Sequence, residues 1–178
     1  AGWVDPSELE EARKPSTFAL AWPEFEAHHS TRAAGDRYGI PFPISHAEFK
    51  TMGADFLTEA FHAAGTLSHH NEVASIDAYH QVDGGGASIT AAFDVRYANE
   101  TKPAPPSTLF AKMPASDVQR KFVSSHMLFG ETEFSRLSSH VTLPIDVSRY
   151  VFGDYCRQTA NGILITERIH FGSPPIEK

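Results

Sequence analysis

The chain has 178 residues and a formal net charge of −7; 41% of its residues are hydrophobic and 21% are charged. This composition is typical of a globular protein long enough for one domain with a core and a sizeable extension. The acidic balance argues against a broad basic surface for nucleic acid. The longest apolar runs fall short of the roughly 20 residues that a membrane-spanning helix needs, and the single Cys156 excludes an internal disulfide. We therefore expect a cytoplasmic protein with neither nucleic acid nor membrane as a partner.

Residues 1–44 are predicted to form an irregular N-terminal arm. Five prolines interrupt any long helical or strand period: Pro6, Pro15, Pro23, Pro41 and Pro43. The same stretch carries large aromatic residues, namely Trp3, Phe18, Trp22, Phe25 and Phe42. A solvated tail would lack such residues, so we expect the arm to pack on its own domain or on a partner.

Residues 45–72 are predicted to be a helical extension. Ser45 and Glu48 have the spacing of a capping box, which favours a helix start at Ser45. A firmer helix is predicted over 54–64, because its apolar residues fall on one face at helical spacing. Gly65 provides a natural C-terminal stop.

Three strands are predicted next. The first covers 73–82 and is followed by a glycine turn at 83–86. The second, 89–97, alternates apolar and polar residues as a half-buried strand does. A proline-rich loop then leads to a short strand over 108–113.

The pattern becomes helical from Asp117 to His140, in two predicted pieces, and Pro144 ends the region. Two further strands are predicted over 147–156 and 162–169. The predicted fold class is α+β: a five-stranded antiparallel sheet with one main packed helix, inserted between the third and fourth strands, and a helical N-terminal extension.

The first candidate functional motif is the glycine turn Gly84-Gly85-Gly86-Ala87-Ser88. Backbone N–H groups of such a turn can hold phosphate oxygens. A plain hairpin turn explains the same residues equally well. The turn matches neither G-x-G-x-x-G nor the P-loop pattern, which argues against a P-loop fold.

The second and third motifs are a strand lysine and a helix glutamate. Lys112 lies in the apolar strand Phe110-Ala111-Lys112-Met113, where an ammonium group is costly unless it meets an anion. The commoner alternative is an edge-strand lysine that points to water. Glu131 is a candidate to face inward because Leu128 and Phe134 flank it, although helix glutamates are usually solvated. We expect Lys112 and Glu131 to form an ion pair.

In this order, the motifs resemble the nucleotide-binding lobe of the kinase-like phosphotransferase superfamily, which includes aminoglycoside phosphotransferases, choline kinases and the ecdysteroid-kinase-like group. The resemblance covers roughly residues 44–172. Leu109-Phe110-Ala111-Lys112-Met113-Pro114 is similar to the family's lysine strand, and Phe129-Gly130-Glu131-Thr132-Glu133-Phe134 resembles its helix pattern. The stretch 162–169 looks like its hinge strand. Ser135 and Arg168 depart from the family's aromatic and acidic residues.

The resemblance implies a protein-kinase-like N-lobe over 73–172 and the start of a linker to an absent second lobe over 173–178. It implies transfer of the ATP γ-phosphoryl group to a hydroxyl of an unknown small-molecule acceptor. Lys112 would contact the α- and β-phosphates, Glu131 would orient Lys112, and Gly84 to Ser88 would cover the phosphates. The backbone near Glu167 and Ile169 would hold the adenine edge.

The family's catalytic aspartate and Mg²⁺ ligands lie in its second lobe, so Mg²⁺ is expected with ligands outside this chain, and no metal site is expected within it. We therefore expect no phosphotransferase activity from these 178 residues alone. Two alternatives remain: a pseudokinase-type binding or scaffold module without phosphoryl transfer, and a non-kinase α+β interaction domain in which the lysine and glycines are structural.

Overall fold

The computed structural model describes residues 21–82 and 88–169. The described residues form three helices and five strands in an α+β arrangement. In chain order they are α1 (Trp22–His28), α2 (His46–Ala63), β1 (Val73–Val82), β2 (Ser88–Tyr97), β3 (Thr108–Pro114), α3 (Val118–Ser138), β4 (Tyr150–Cys156) and β5 (Asn161–Glu167).

The five strands form one sheet in the order β1-β2-β3-β5-β4, and every pair of neighbours is antiparallel. Helix α3 is the connection between β3 and β4. The predicted five-stranded antiparallel sheet with one helix inserted between its third and fourth strands is therefore confirmed. Predicted β1 has the observed bounds. Predicted β4 began three residues too early, and predicted β5 ended two residues too late.

The two faces of the sheet carry different cores, because successive strand residues point to opposite faces. Leu109, Ala111 and Met113 of β3 are fully buried in the larger core beneath α2. Phe110 and Lys112 alternate with them and point to the opposite face, which α3 covers. β3 therefore separates a dry apolar layer from the surface that carries the candidate lysine.

Helix α2 begins where the sequence predicts, and it joins the predicted helix over 54–64 in one bent element. The Ser45 hydroxyl accepts a hydrogen bond from the Glu48 amide, 3.2 Å away. The bend is at Gly53, whose φ of 57° and ψ of −143° are non-helical. Glycine reaches this conformation because it has no Cβ. Phe49, before the bend, packs on Phe93 of β2, and Phe56, after the bend, packs on Phe152 of β4.

Helix α3 is a single element of 21 residues, so the prediction of two helical pieces was wrong. Asp117 caps its start by accepting from the Arg120 amide at 2.9 Å. Gly130 lies inside the helix without breaking it, because no proline follows and the flanking turns pack on the sheet. A Cβ at Gly153 of β4 would lie 2.7 Å from the Thr132 side chain. This close approach places α3 tightly over β4.

The described part of the arm packs on its own domain, as expected. Ile40 and Phe42 belong to the larger core, and Phe25 is fully buried. Its short helix α1 was not predicted. Phe25 holds α1 against α3 through an edge contact with Phe122, with ring centroids 5.1 Å apart. A seven-residue helix is too short to show a clear period in sequence.

In the described part of the chain, no helix combines the length and the apolar content needed to cross a membrane.

Candidate functional site

The predicted ion pair between Lys112 and Glu131 is present. The Lys112 Nζ and Glu131 Oε2 atoms are 2.5 Å apart. Lys112 lies in β3, with Thr90 of β2 and Leu164 of β5 as its partners on either side. The interior strand fixes the lysine backbone on both sides, and α3 brings the carboxylate to it from above the sheet.

Both members of the pair remain accessible to solvent. The side chain of Lys112 is 27% exposed and that of Glu131 is 40% exposed. Pairs with this much solvent contact contribute about 0–1 kcal/mol to stability. The fold therefore depends little on this pair, and a ligand can reach both charges.

A cleft of about 380 Å³ lies beside the pair, between α3 and the strands β3 and β5. Its walls combine apolar side chains with hydroxyl groups: Phe110, Lys112, Glu131, Phe134, Ser135, Ser138, Val147, Ser148, Leu164 and Thr166. The volume lies within the range of small-molecule sites, roughly 300–1,000 Å³. A charged group over an apolar floor can fix the orientation of a ligand.

Phe134 lines this cleft and does not support Glu131 from the core. Leu128 is buried, as expected, but Phe134 is 52% exposed. Six residues separate them, and six steps of about 100° place their side chains about 120° apart around the helix. Apolar residues three positions before and three positions after a helix glutamate therefore do not lie on one buried face.

The predicted phosphate turn falls mostly outside the described residues. Gly84, Gly85, Gly86 and Ala87 lie there, and only Ser88 is described, as the first residue of β2. Ser88 pairs with Pro114, two residues beyond Lys112 on β3. The chain thus leaves β1 and enters β2 at the end of the sheet near Lys112.

The predicted adenine-contacting backbone has partners within the fold. The Glu167 amide donates to the Arg149 carbonyl at 2.8 Å, and the Arg168 amide donates to the Thr108 carbonyl at 2.9 Å. Ile169 is 55% exposed at the end of the described residues. Two of the N–H groups in this stretch are therefore already engaged, so a role in holding adenine for Glu167 and Ile169 stays a prediction.

A second charge cluster, which was not predicted from the sequence, lies on α3. The Glu133 carboxylate accepts from Arg37 at 3.2 Å and from Arg136 at 3.2 Å. Arg37 belongs to the arm, so this cluster joins the arm to the helix that carries Glu131. Its only signal in sequence is the Glu133–Arg136 spacing of three residues, which many surface helices share.

The carboxylate of Asp154 is buried, and its hydrogen bonds give it a structural role. It accepts hydrogen bonds from the backbone amides of Arg37, Tyr38 and Tyr155 at 2.7 to 3.1 Å. Burial raises the pKa of this carboxyl above its usual value, although the three N–H groups oppose that shift. Asp154 thereby anchors the arm to β4.

Within residues 21–82 and 88–169, no three His, Cys, Asp or Glu side chains lie close enough together to hold a metal ion. Comparison with protein-family models, with curated proteins and with solved structures gave no match to this chain.

Proposed function

We propose that this chain is the nucleotide-binding lobe of an ATP-dependent phosphotransferase that acts on a hydroxyl group of a small molecule. The observation that carries the proposal is the 2.5 Å ion pair between Lys112 on strand β3 and Glu131 on helix α3. The cleft of about 380 Å³ beside the pair offers room for part of a nucleotide.

The physical reason lies in what phosphoryl transfer requires. The transferred group carries its charge on peripheral oxygens, so catalysis depends on positioning and on positive charge. A strand lysine held by a helix glutamate supplies a cation at a fixed point, where it contacts the α- and β-phosphates. Glu131 keeps the flexible lysine side chain in one place. The glycine turn after β1, outside the described residues, would cover the phosphates.

The two expected cofactors, ATP and Mg²⁺, differ in how well the described residues fit them. ATP fits the donor set, because Lys112 supplies a cation and Phe110 and Leu164 supply apolar surface at the cleft. Mg²⁺ does not fit the described residues, which lack a cluster of ligands for a metal. We therefore propose that the Mg²⁺ ligands and the acceptor site belong to a second lobe. We further place the protein in the cytoplasm, where ATP is abundant and the buried thiol of Cys156 stays reduced.

Titration of ATP into the purified chain, followed by calorimetry, tests the proposal. Lys112→Met removes the charge but keeps the length of the side chain, so we expect ATP affinity to fall at least about tenfold. Glu131→Gln should weaken binding less, because Glu131 only orients the lysine. Lys102→Met, at an exposed loop position, is the matched control and should bind as the wild type does.

The result also separates the alternatives. Absence of ATP binding to the wild type would favour the α+β interaction domain and overturn the proposal. Unchanged affinity in Lys112→Met would reject Lys112 as the phosphate lysine. If ATP binds as expected, turnover of ATP by the full-length protein distinguishes a phosphotransferase from a pseudokinase-type module.

A further inference from the structure

A second cavity lies on the opposite face of the sheet from Lys112. It has a volume of about 290 Å³, is open to solvent on one side, and lies between α2 and the edge strand β1. Its lining consists of three side chains with apolar surface, one cation and two small residues: Phe49, Ile76, Tyr79, Lys50, Gly53 and Ala54. We call it the α2–β1 cavity. The proposed nucleotide site uses none of these residues.

Both walls of the α2–β1 cavity depart from regular backbone geometry where they face each other. Gly53 interrupts α2 with a φ of 57°. In β1, Ala78 has a φ of 48°, and the pairing with β2 shifts register between Asp77 and His80. A non-glycine residue in such a conformation costs on the order of 1–3 kcal/mol, and such outliers concentrate at functional sites. Gly53 lines the cavity itself, and Ala78 directly precedes the lining residue Tyr79.

The aromatic wall of the cavity is held rigidly. The Tyr79 hydroxyl and the His46 Nδ1 atom are hydrogen-bonded at 2.6 Å. Phe49 packs against the Tyr79 ring with centroids 5.5 Å apart and is itself fully buried. Burial raises the pKa of Tyr79 to about 12 and lowers the pKa of His46, so both groups are neutral near pH 7. A ligand therefore meets an ordered, uncharged aromatic surface.

Lys50 is the positive group among the described residues that line the cavity, and it lies over this aromatic surface. The Lys50 ammonium lies 5.0 Å from the centroid of the Tyr79 ring. Among the described residues, no carboxylate lies within ion-pair distance of Lys50. The ammonium is thus available to an anion that enters along the tyrosine ring.

From this geometry we infer that the α2–β1 cavity binds a small monocyclic aromatic carboxylate, with the ring against Tyr79 and Ile76 and the carboxylate at the Lys50 ammonium. The volume lies at the lower end of small-molecule sites, which suits a single substituted ring. Aromatic walls favour an aromatic ring in offset or edge contact. Because no described carboxylate pairs with Lys50, its ammonium group favours an acid over an alcohol or an amine.

Two-dimensional NMR of the ¹⁵N-labelled chain tests this inference with benzoate as the probe and benzyl alcohol as its uncharged counterpart. We expect benzoate to shift the amide signals of Phe49, Gly53, Ala54 and Tyr79, with an affinity at least about fivefold above that of benzyl alcohol. Absence of shifts at these residues, or equal affinities for the two probes, would overturn the inference.

Variants of the chain test separately the carboxylate contact at Lys50 and the position of the aromatic ring in the cavity. Lys50→Gln, at an exposed position, should reduce benzoate affinity to that of benzyl alcohol and leave the latter unchanged. Ala54→Leu fills the cavity and should abolish binding of both probes, and its amide spectrum reports whether the variant is folded. Lys112→Met should bind benzoate normally, because it lies on the other face of the sheet. Loss of benzoate binding in Lys112→Met, or full retention in Lys50→Gln, would contradict the assignment.

Discussion

Two lysines on neighbouring elements, Lys112 of β3 and Lys121 of α3, differ in solvent exposure and in the groups that they contact. Lys112 is partly exposed and meets a carboxylate at the edge of a cleft. Lys121, in the first half of α3, is only 5% exposed, and its Nζ donates to the carbonyl of His29 in the arm. The first lysine is positioned for a ligand, whereas the second fastens the arm to α3.

We expect Lys112→Met to change the free energy of unfolding by less than about 1 kcal/mol, because the Lys112–Glu131 pair is screened by solvent. Chemical denaturation of the wild type, both single variants and Lys112→Met/Glu131→Gln gives the coupling energy between the two residues. A loss of several kcal/mol in the single lysine variant would show that the lysine is structural.

Because Lys121 is buried, we predict that the free energy of unfolding rises with pH. Burial lowers its pKa from 10.5 to about 8, and Glu48 opposes that shift. Below about pH 8, Lys121 is protonated in both the folded and the unfolded state, so its contribution is flat. Above that, the unfolded lysine keeps its proton up to about pH 10.4 while the folded one releases it, so folding becomes more favourable.

We expect the free energy of unfolding of the wild type to rise by about 1–2 kcal/mol, relative to Lys121→Met, between about pH 7.5 and pH 9.5. Urea denaturation across that range measures the difference. The series stops there because Tyr79 and Tyr97, whose pKa values burial raises to about 12, lower the stability of both proteins at higher pH. A flat or falling difference would show that Lys121 keeps its proton in the folded state.

At the scale of whole elements, Gly53 of α2 and Gly130 of α3 allow a direct comparison of two glycine-to-alanine substitutions inside helices. A Cβ would meet no neighbour at either Gly53 or Gly130, but only Gly53 has a positive φ. Gly53→Ala should therefore destabilise the protein by about 1–3 kcal/mol through backbone strain. Gly130→Ala should stabilise it by about 0.5–1 kcal/mol, because alanine favours the helix interior.

Denaturation midpoints of the two alanine variants measure this contrast. Shifts of the same sign would mean that α2 relaxes its bend when Gly53 is replaced. The Gly53→Ala variant should also show altered amide signals at Tyr79 across the α2–β1 cavity, while Gly130→Ala should not.

The sequence predicted those elements whose signal is local. Alternation identified β2, and the Ser45 cap placed the start of α2. The continuity of α3 and the existence of α1 depend on packing, namely Thr132 against Gly153 and Phe25 against Phe122, and local propensity does not report such contacts.

The candidate site likewise has one part that could be predicted from the sequence and one part that could not. The order of Lys112 and Glu131 along the chain was enough to predict their ion pair. The cleft was not predictable, because the position of Phe110 beside Thr166 follows from the register between β3 and β5. Strand register is set by the whole sheet and by turn geometry, and a shift of one residue reverses the exposed face.

At the scale of the whole molecule, a lobe that docks on a second lobe should expose an apolar patch. The sequence candidates for this patch are Phe129, Ile169, Phe171 and neighbouring aromatic residues of the N-terminal arm. Phe129 instead packs against Tyr155, with ring centroids 5.3 Å apart, and Phe171 lies outside the described residues. The observed exposed apolar side chains include Ile169 and a group on α3 and the loop after it: Val123, Met127, Phe134, Val141, Ile145 and Val147.

We expect the isolated chain to self-associate at high concentration through this surface of α3, because contiguous exposed apolar area promotes association. Val123 and Met127 lie one helical turn apart and are 64% and 55% exposed. Val123→Lys/Met127→Lys should shift sedimentation velocity profiles towards the monomer. Val82→Lys, on the far edge of the sheet, is the control and should leave them unchanged. A wild-type chain that sediments as a clean monomer at high concentration would contradict this expectation.

The irregular strand β1 has a consequence for how the sheet ends. β1 is an outer strand and is largely exposed, and a regular free edge of this kind is a template on which a strand of another molecule extends the ladder. Its regular pairing is divided at Ala78 into two stretches, 75–77 and 80–82. A bulged edge of this kind twists away from a flat incoming strand. The backbone irregularity beside the α2–β1 cavity therefore also protects the sheet against edge-to-edge polymerisation.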